Sequence, residues 1–185
     1  MEFLYKLDLP PLTEVIREDI RDRFFRDFYQ SRVSHWNADQ ILRPEFLNIK
    51  GLTWPTVNLF CKTPNSPGIV HLDNPYGNDL LHINILWVHG YGGMKFWADN
   101  NIDQKRPATD THSNLQMTVV DVSNPPSRDY KTVKDSAYLL NASVAHTGYN
   151  EAFETENRYT VSLRCWIGYK FSWPDFVNIF EDLII

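Results

Sequence analysis

Leu12, Ile16, Ile20, Phe24 and Phe28 recur at every fourth position after Pro10-Pro11, with Phe25 beside them. That period lays one apolar stripe along an amphipathic helix of about five turns. It predicts a helical N-terminal part over about residues 12–31. The opposite face carries Arg17, Glu18, Asp19, Arg21, Asp22, Arg23, Arg26 and Asp27. Mixed signs of this kind make a solvated face, so the helix is expected to pack on the outside of a sheet. From about Phe46 the pattern changes to short runs of Val, Ile, Leu, Thr and aromatics divided by Gly, Pro, Asn and Asp. Such runs predict strands, here over residues 56–61, 68–72, 80–89, 94–98, 115–120, 136–140 and 159–169. Gly90-Tyr91-Gly92-Gly93 reads as a hairpin turn joining two of them. Residues 100–113 read as a polar surface loop and 124–129 as a turn. At the end of the chain Ser172 can cap a second helix over about 173–184. Pro174 suits its first turn, and Phe176, Val177, Ile179, Phe180 and Leu183 supply its apolar side. Many short strands flanked by terminal helices predict a mainly β protein, a two-sheet antiparallel barrel of jelly-roll type over about 46–170.

Length and composition narrow the classes. A chain of 185 residues fits one domain, taken as 1–185, and 43% hydrophobic with 14% aromatic residues suffices for a packed core. The net charge of −5, from 18 basic and 23 acidic residues, argues against a nucleic-acid backbone as the main partner. Cys61 and Cys165 are the only cysteines. Two cysteines make no disulfide scaffold, so reduced thiols and a cytoplasmic setting are expected. No apolar run approaches the roughly 18 residues of a membrane span, so no membrane partner is expected. The first eleven residues lack the basic start and small-residue cleavage site of a signal peptide. H-E-x-x-H, G-x-S-x-G and phosphate-binding loops are absent, and Gly90-x-Gly92 lacks the third glycine of a dinucleotide fingerprint.

The chemistry concentrates in His71-Leu72-Asp73. A strand turns alternate side chains to one face, so His71 and Asp73 can address one metal ion. His146 on a second strand would complete two histidines and one carboxylate, the set diagnostic of non-heme Fe(II) oxygenases. Taken alone, the same residues also read as a strand-end His and an Asp opening the turn Asn74-Pro75-Tyr76-Gly77. Arg158, Thr160, Ser162 and Arg164 share one strand parity. Either arginine can offer a fork to a carboxylate, or both can face solvent. His82 and Asn84 share a face of the strand after the triad. They can line the same cavity or serve as hydrogen-bonded sheet residues. His35, His89, His112 and Lys95 read as surface residues.

The run His71-Leu-Asp-Asn-Pro-Tyr-Gly-Asn, then Ile83-Asn-Ile-Leu-Trp-Val, then Gly92-Gly-Met-Lys-Phe96, resembles the Fe(II)- and 2-oxoglutarate-dependent dioxygenases. Within them it is most similar to the oxygen-sensing prolyl hydroxylases. His146 followed by Asn157-Arg-Tyr-Thr-Val-Ser162 and Trp166 resembles their distal histidine and Arg-Tyr strand, and the likeness spans about 68–169. It implies a double-stranded β-helix, the jelly-roll or cupin-like barrel, with flanking N- and C-terminal helices. It implies His71, Asp73 and His146 as iron ligands and catalytic residues, Arg158 on the distal carboxylate of 2-oxoglutarate, and Ser162 assisting there. An ungapped match puts Trp87 where those enzymes carry a co-substrate-binding Tyr; its indole N–H offers one hydrogen bond. The His146–Arg158 spacing, longer than usual, implies a bulged loop over 148–157. The implied reaction consumes dioxygen and 2-oxoglutarate, with ascorbate as a reductant, and hydroxylates an unactivated C–H. The substrate would be a prolyl or other residue of a protein or peptide, or a free amino acid or small metabolite. The competing readings are a non-catalytic cupin-like module binding a metal or sugar, and a zinc hydrolase on the same three ligands.

Overall fold

A computed structural model describes residues 2–22, 24, 33–64, 68–73, 81–109, 116–151, 156–167 and 171–185. The protein is mainly β. The strands are β1 (Leu4–Leu7), β2 (Val33–Asn37), β3 (Asn48–Ile49), β4 (Leu52–Thr53), β5 (Thr56–Lys62), β6 (His71–Leu72) and β7 (Leu81–His89). They continue as β8 (Gly92–Trp97), β9 (Gln104–Thr109), β10 (Gln116–Asp121), β11 (Arg128–Thr132), β12 (Ser136–Asn141), β13 (Ala145–Asn150) and β14 (Arg158–Ile167). Two six-stranded antiparallel sheets result, in the orders β1-β12-β7-β14-β5-β2 and β11-β8-β13-β6-β10-β9. Eight of these strands pair in nested fashion: β5 with β14, β6 with β13, β7 with β12 and β8 with β11.

The alternation along β7 explains how the sheets pack. His82, Asn84, Leu86 and Val88 turn to one side and Ile83, Ile85 and Trp87 to the other, and all seven are buried. Leu86 and Val88 join Tyr138 and Leu140 of the same sheet and Met94 and Phe96 of the second sheet in one apolar cluster. That cluster lies between the sheets. Ile83, Ile85 and Trp87 face the larger cluster, formed with Leu7, Leu12, Val15, Ile16, Trp173, Phe176 and Phe180 from the chain ends. β7 is buried on both faces, and only His82 and Asn84 interrupt its apolar run between Leu81 and Val88.

The N-terminal helix differs from its expectation. Helix α1 spans only Leu12–Val15, and Ile16 is extended at ψ 143°. A 3-10 turn follows at Glu18–Ile20. Ile16 pairs with Leu42 in an antiparallel bridge. Arg17 N donates to Ile41 O at 2.9 Å and Arg43 N donates to Val15 O at 3.0 Å. These tertiary bonds take the groups that a continuous helix would have bonded internally. Ile16 is still fully buried, so there the apolar period reports burial and not a helix, whereas Arg21, Asp22 and Phe24 are helical as expected. Phe25, Phe28 and the remainder up to residue 31 lie outside the described residues. A short helix α2 (Ala38–Ile41) sits between β2 and β3.

Three further expectations change. Gly90–Gly93 is not a hairpin: β7 pairs with β12 and β14, whereas β8 pairs with β11 and β13, so the glycines carry the chain from one sheet to the other. Residues 100–113 are not simply a loop. They include the edge strand β9, exposed along most of its length and bearing Pro107; polar character and proline are what an unpaired edge selects. Residues 110–113, with His112, lie outside the described residues, as do 74–80, 152–155 and 168–169. The C-terminal helix α3 (Trp173–Ile179) is shorter than expected and gives way to a 3-10 turn at Glu181–Leu183. Ser172 caps it as expected, in a reciprocal box with Asp175. No helix among the described residues is long and apolar enough to cross a membrane.

Candidate metal centre

β6 and β13 are neighbours, and their register sets His71 opposite His146. Asp73 follows β6, its N–H bonded to Ala142 O at 3.1 Å. The ligand atoms of His71, Asp73 and His146 lie within 4.8 Å of one another. His71 Nε2 is 3.2 Å and His146 Nε2 4.0 Å from Asp73 Oδ1. The side chains are 20%, 13% and 4% exposed in the order His71, Asp73, His146, so the site is open on the His71 side and closed on the His146 side.

Hydrogen bonds decide which atoms face the common point. Nδ1 of His71 lies 2.9 Å from Ile69 O, and Nδ1 of His146 lies 2.8 Å from Val144 O. A carbonyl only accepts, so each Nδ1 carries a proton, and in the neutral ring each Nε2 presents its lone pair. Asp73 Oδ2 is taken by Asn84 Nδ2 at 2.6 Å, leaving Oδ1 free to turn inward. With both rings neutral, three electron-pair donors converge on one point. Donors bound side by side to a divalent ion at about 2.1 Å stand about 3 Å apart. The site reaches that spacing with movements of about 1 Å. The donor set thus fits a divalent metal with several positions left open.

The electrostatics agree. Burial pushes the His146 pKa down to about 4, helped by the adjacent His71. It is neutral and ready to ligate at pH 7. Burial by itself would raise the Asp73 carboxyl, but His71, Arg164 and His146 beside it hold it far below the usual range. His82 is buried between the sheets, with its N–H bonded to Ser143 Oγ and its Nδ1 3.5 Å from Arg164 Nη2. Burial and that arginine lower its pKa to about 4. It is a sheet residue that also flanks the centre.

The four alternate residues of β14 all face the space between the sheets: Arg158, Thr160, Ser162 and Arg164 are 2%, 6%, 1% and 5% exposed. The solvent-facing alternative for the two arginines is therefore wrong. Arg164 lies beside His82, its Nη2 3.5 Å from Nδ1, and its charge is felt by Asp73 and His146. Arg158 lies further in. Its Nη1 donates to Thr160 Oγ1 at 2.9 Å and its Nη2 to Thr132 Oγ1 at 3.4 Å. Among the described residues no carboxylate comes within ion-pair distance of it. Burial lowers its pKa to about 10. Nη1 packs over Gly148, 3.4 Å from where a Cβ would stand. Gly148 lies two residues beyond His146 on the same face of β13, about 7 Å along the strand. Gly92, at φ 144°, passes so close that a Cβ would lie 2.8 Å from Arg158 Cδ and 2.1 Å from Tyr149 O. The crossover glycines thus make room for this arginine.

Ser162 lies on the same face, and its Oγ has no hydrogen-bond partner among the described residues. Trp87 does not. It turns to the outer cluster, where its Nε1 donates to Pro10 O at 3.1 Å and its ring meets Phe46 edge-on. The expectation that Trp87 contacts a co-substrate is corrected by one residue of strand parity: Leu86 and Val88 hold the inward positions instead. Asn84 and His82 were legible as neighbours of the triad from that same parity. Lys62 was not, because only the β5–β14 register brings it opposite Arg158. The chain matches no family model and no curated protein.

Proposed function

We propose that the protein is an Fe(II)- and 2-oxoglutarate-dependent dioxygenase that hydroxylates an unactivated C–H. The observation that carries this reading is the pairing of two features. One is a two-histidine, one-carboxylate set with its tautomers held by backbone carbonyls. The other is a buried guanidinium, two residues of strand away, with no described carboxylate to neutralise it. The nested pairing of the eight central strands supports a double-stranded β-helix around the site. Iron, with 2-oxoglutarate and dioxygen, supplies the oxidising chemistry when bound.

The chain's own part is placement. His71, Asp73 and His146 hold one side of the metal. Asn84 fixes the carboxylate oxygen that does not ligate. Arg158, steadied by Thr160 and Thr132, grips the distal carboxylate of the co-substrate in a fork, and Ser162 offers its hydroxyl beside it. Leu86, Val88, Met94 and Tyr138 form an apolar wall that keeps water out. A residue of a protein or peptide, or a free amino acid or small metabolite, is the substrate class proposed.

The test is succinate formation by the purified protein in air with Fe(II), ascorbate and 2-oxoglutarate, without added substrate. Slow uncoupled turnover that vanishes in Asp73→Ala is the expected result. No succinate, together with no thermal protection by Fe(II) plus 2-oxoglutarate, would overturn the proposal in favour of a non-catalytic metal-binding barrel.

A further inference from the structure

A second, partly buried cation stands beside Arg158. Lys62 closes β5 and is the register partner of Arg158 on β14. Directly opposed residues of an antiparallel pair project to the same face. The neighbouring pair, Cys61 and Tyr159, belongs to the outer cluster, so Lys62 and Arg158 both turn inward. Asn150, on the same face of β13 as His146 and Gly148, donates through Nδ2 to Lys62 O at 3.1 Å and to Glu156 O at 2.8 Å. This clip holds the end of β5 level with Arg158. Among the described residues Lys62 has no carboxylate within ion-pair distance. Burial and the charge of Arg158 both lower its pKa, which places the two cations within each other's field. Like charges so placed repel, and a fold gains nothing from them unless an anion comes between.

We infer that Lys62 is the second arm of a carboxylate clamp with Arg158, and that this clamp selects a dicarboxylic 2-oxo acid over a monocarboxylic one. The inference rests on the dioxygenase reading above and deepens it. An anion between the two arms receives a bidentate fork from Arg158 and a point charge from Lys62. A 2-oxo acid that lacks the distal carboxylate would leave both cations uncompensated.

The test measures binding of 2-oxoglutarate and of 2-oxobutyrate, under argon with Fe(II), to the full chain and to Lys62→Met and Lys62→Arg. Met keeps the stem of Lys62, and unchanged circular dichroism shows that each variant is folded. Lys62→Met should weaken 2-oxoglutarate about 10- to 100-fold, the loss of one charge-assisted contact. Lys62→Arg should restore most of it. The weaker binding of 2-oxobutyrate should be the same in all three proteins. If Lys62→Met binds 2-oxoglutarate as the unaltered chain does, or loses both acids equally, Lys62 is not in the clamp while the dioxygenase reading stands. If the unaltered chain binds neither acid, both readings fall.

Discussion

Replacing Arg158 by Met separates a ligand-binding arginine from a structural one, because the two roles predict opposite signs for stability. Arg158 is 2% exposed. Burial lowers its pKa from the ordinary 12.5 to about 10. At 1.36 kcal/mol per tenfold change in ionisation, holding the charge there costs about 3 kcal/mol. Its compensation inside the chain is two hydroxyl contacts, to Thr160 at 2.9 Å and Thr132 at 3.4 Å, worth about 1 kcal/mol each. Met keeps the length and apolar stem and removes the charge, and the Thr132 hydroxyl keeps its bond to Gly92 O. Metal-free Arg158→Met should therefore be as stable as the unaltered protein or up to about 2 kcal/mol more stable, as when buried charges give way to apolar groups. Urea denaturation, followed by tryptophan fluorescence at pH 7.5, measures this directly. The same variant should lose at least about 100-fold in 2-oxoglutarate affinity, since two charge-assisted bonds go at once. A loss of 2 kcal/mol or more in the unliganded variant would refute the reasoning. It would mean that the guanidinium is already neutralised within the chain, and that no ligand need be invoked for it.

Three other outcomes follow from the same geometry. Asn84→Leu removes the donor to Asp73 Oδ2 and should weaken Co(II) or Mn(II) binding about 10- to 100-fold by anaerobic titration; an unchanged affinity would show that the carboxylate needs no such support. Buried neutral His146 and His82 have pKa values near 4 against an ordinary 6.5, so the unfolded chain binds more protons between those values and stability falls as pH drops through that window. At pH 4.5 the loss in the metal-free protein should be about 2 to 3 kcal/mol from each, read from urea midpoints, and a flat profile from pH 7 to pH 4.5 would contradict the burial of both rings. Trp87→Phe should cost about 1–3 kcal/mol through the lost Pro10 bond and ring volume, while 2-oxoglutarate affinity stays within about twofold; a large affinity loss would place the indole at the co-substrate after all.

Local pattern alone carried much of this protein. Short runs rich in apolar and aromatic residues marked β7 and β14 as strands, and strand parity already grouped Arg158, Thr160, Ser162 and Arg164, because a pleat obliges alternate side chains to share a face. His71, Asp73 and His146 were visible as a donor set because metal chemistry restricts the residue types that can serve. Tertiary structure decided what depends on partners distant in the chain. Whether Ile16 stayed helical was settled by Leu42 and Arg43, whose backbone groups compete for the same hydrogen bonds. Gly90–Gly93 became a crossover because β8 found β13 and β11 rather than β7. Trp87 turned outward because the pleat of β7 is anchored by Asn84 on Asp73, and a shift of one residue reverses every side chain. Lys62 met Arg158 only through the register of β5 on β14. Pleat and periodicity act over a few residues and can be read from the order of side chains; register and crossover are choices between distant segments, made only when the sheets close on their core.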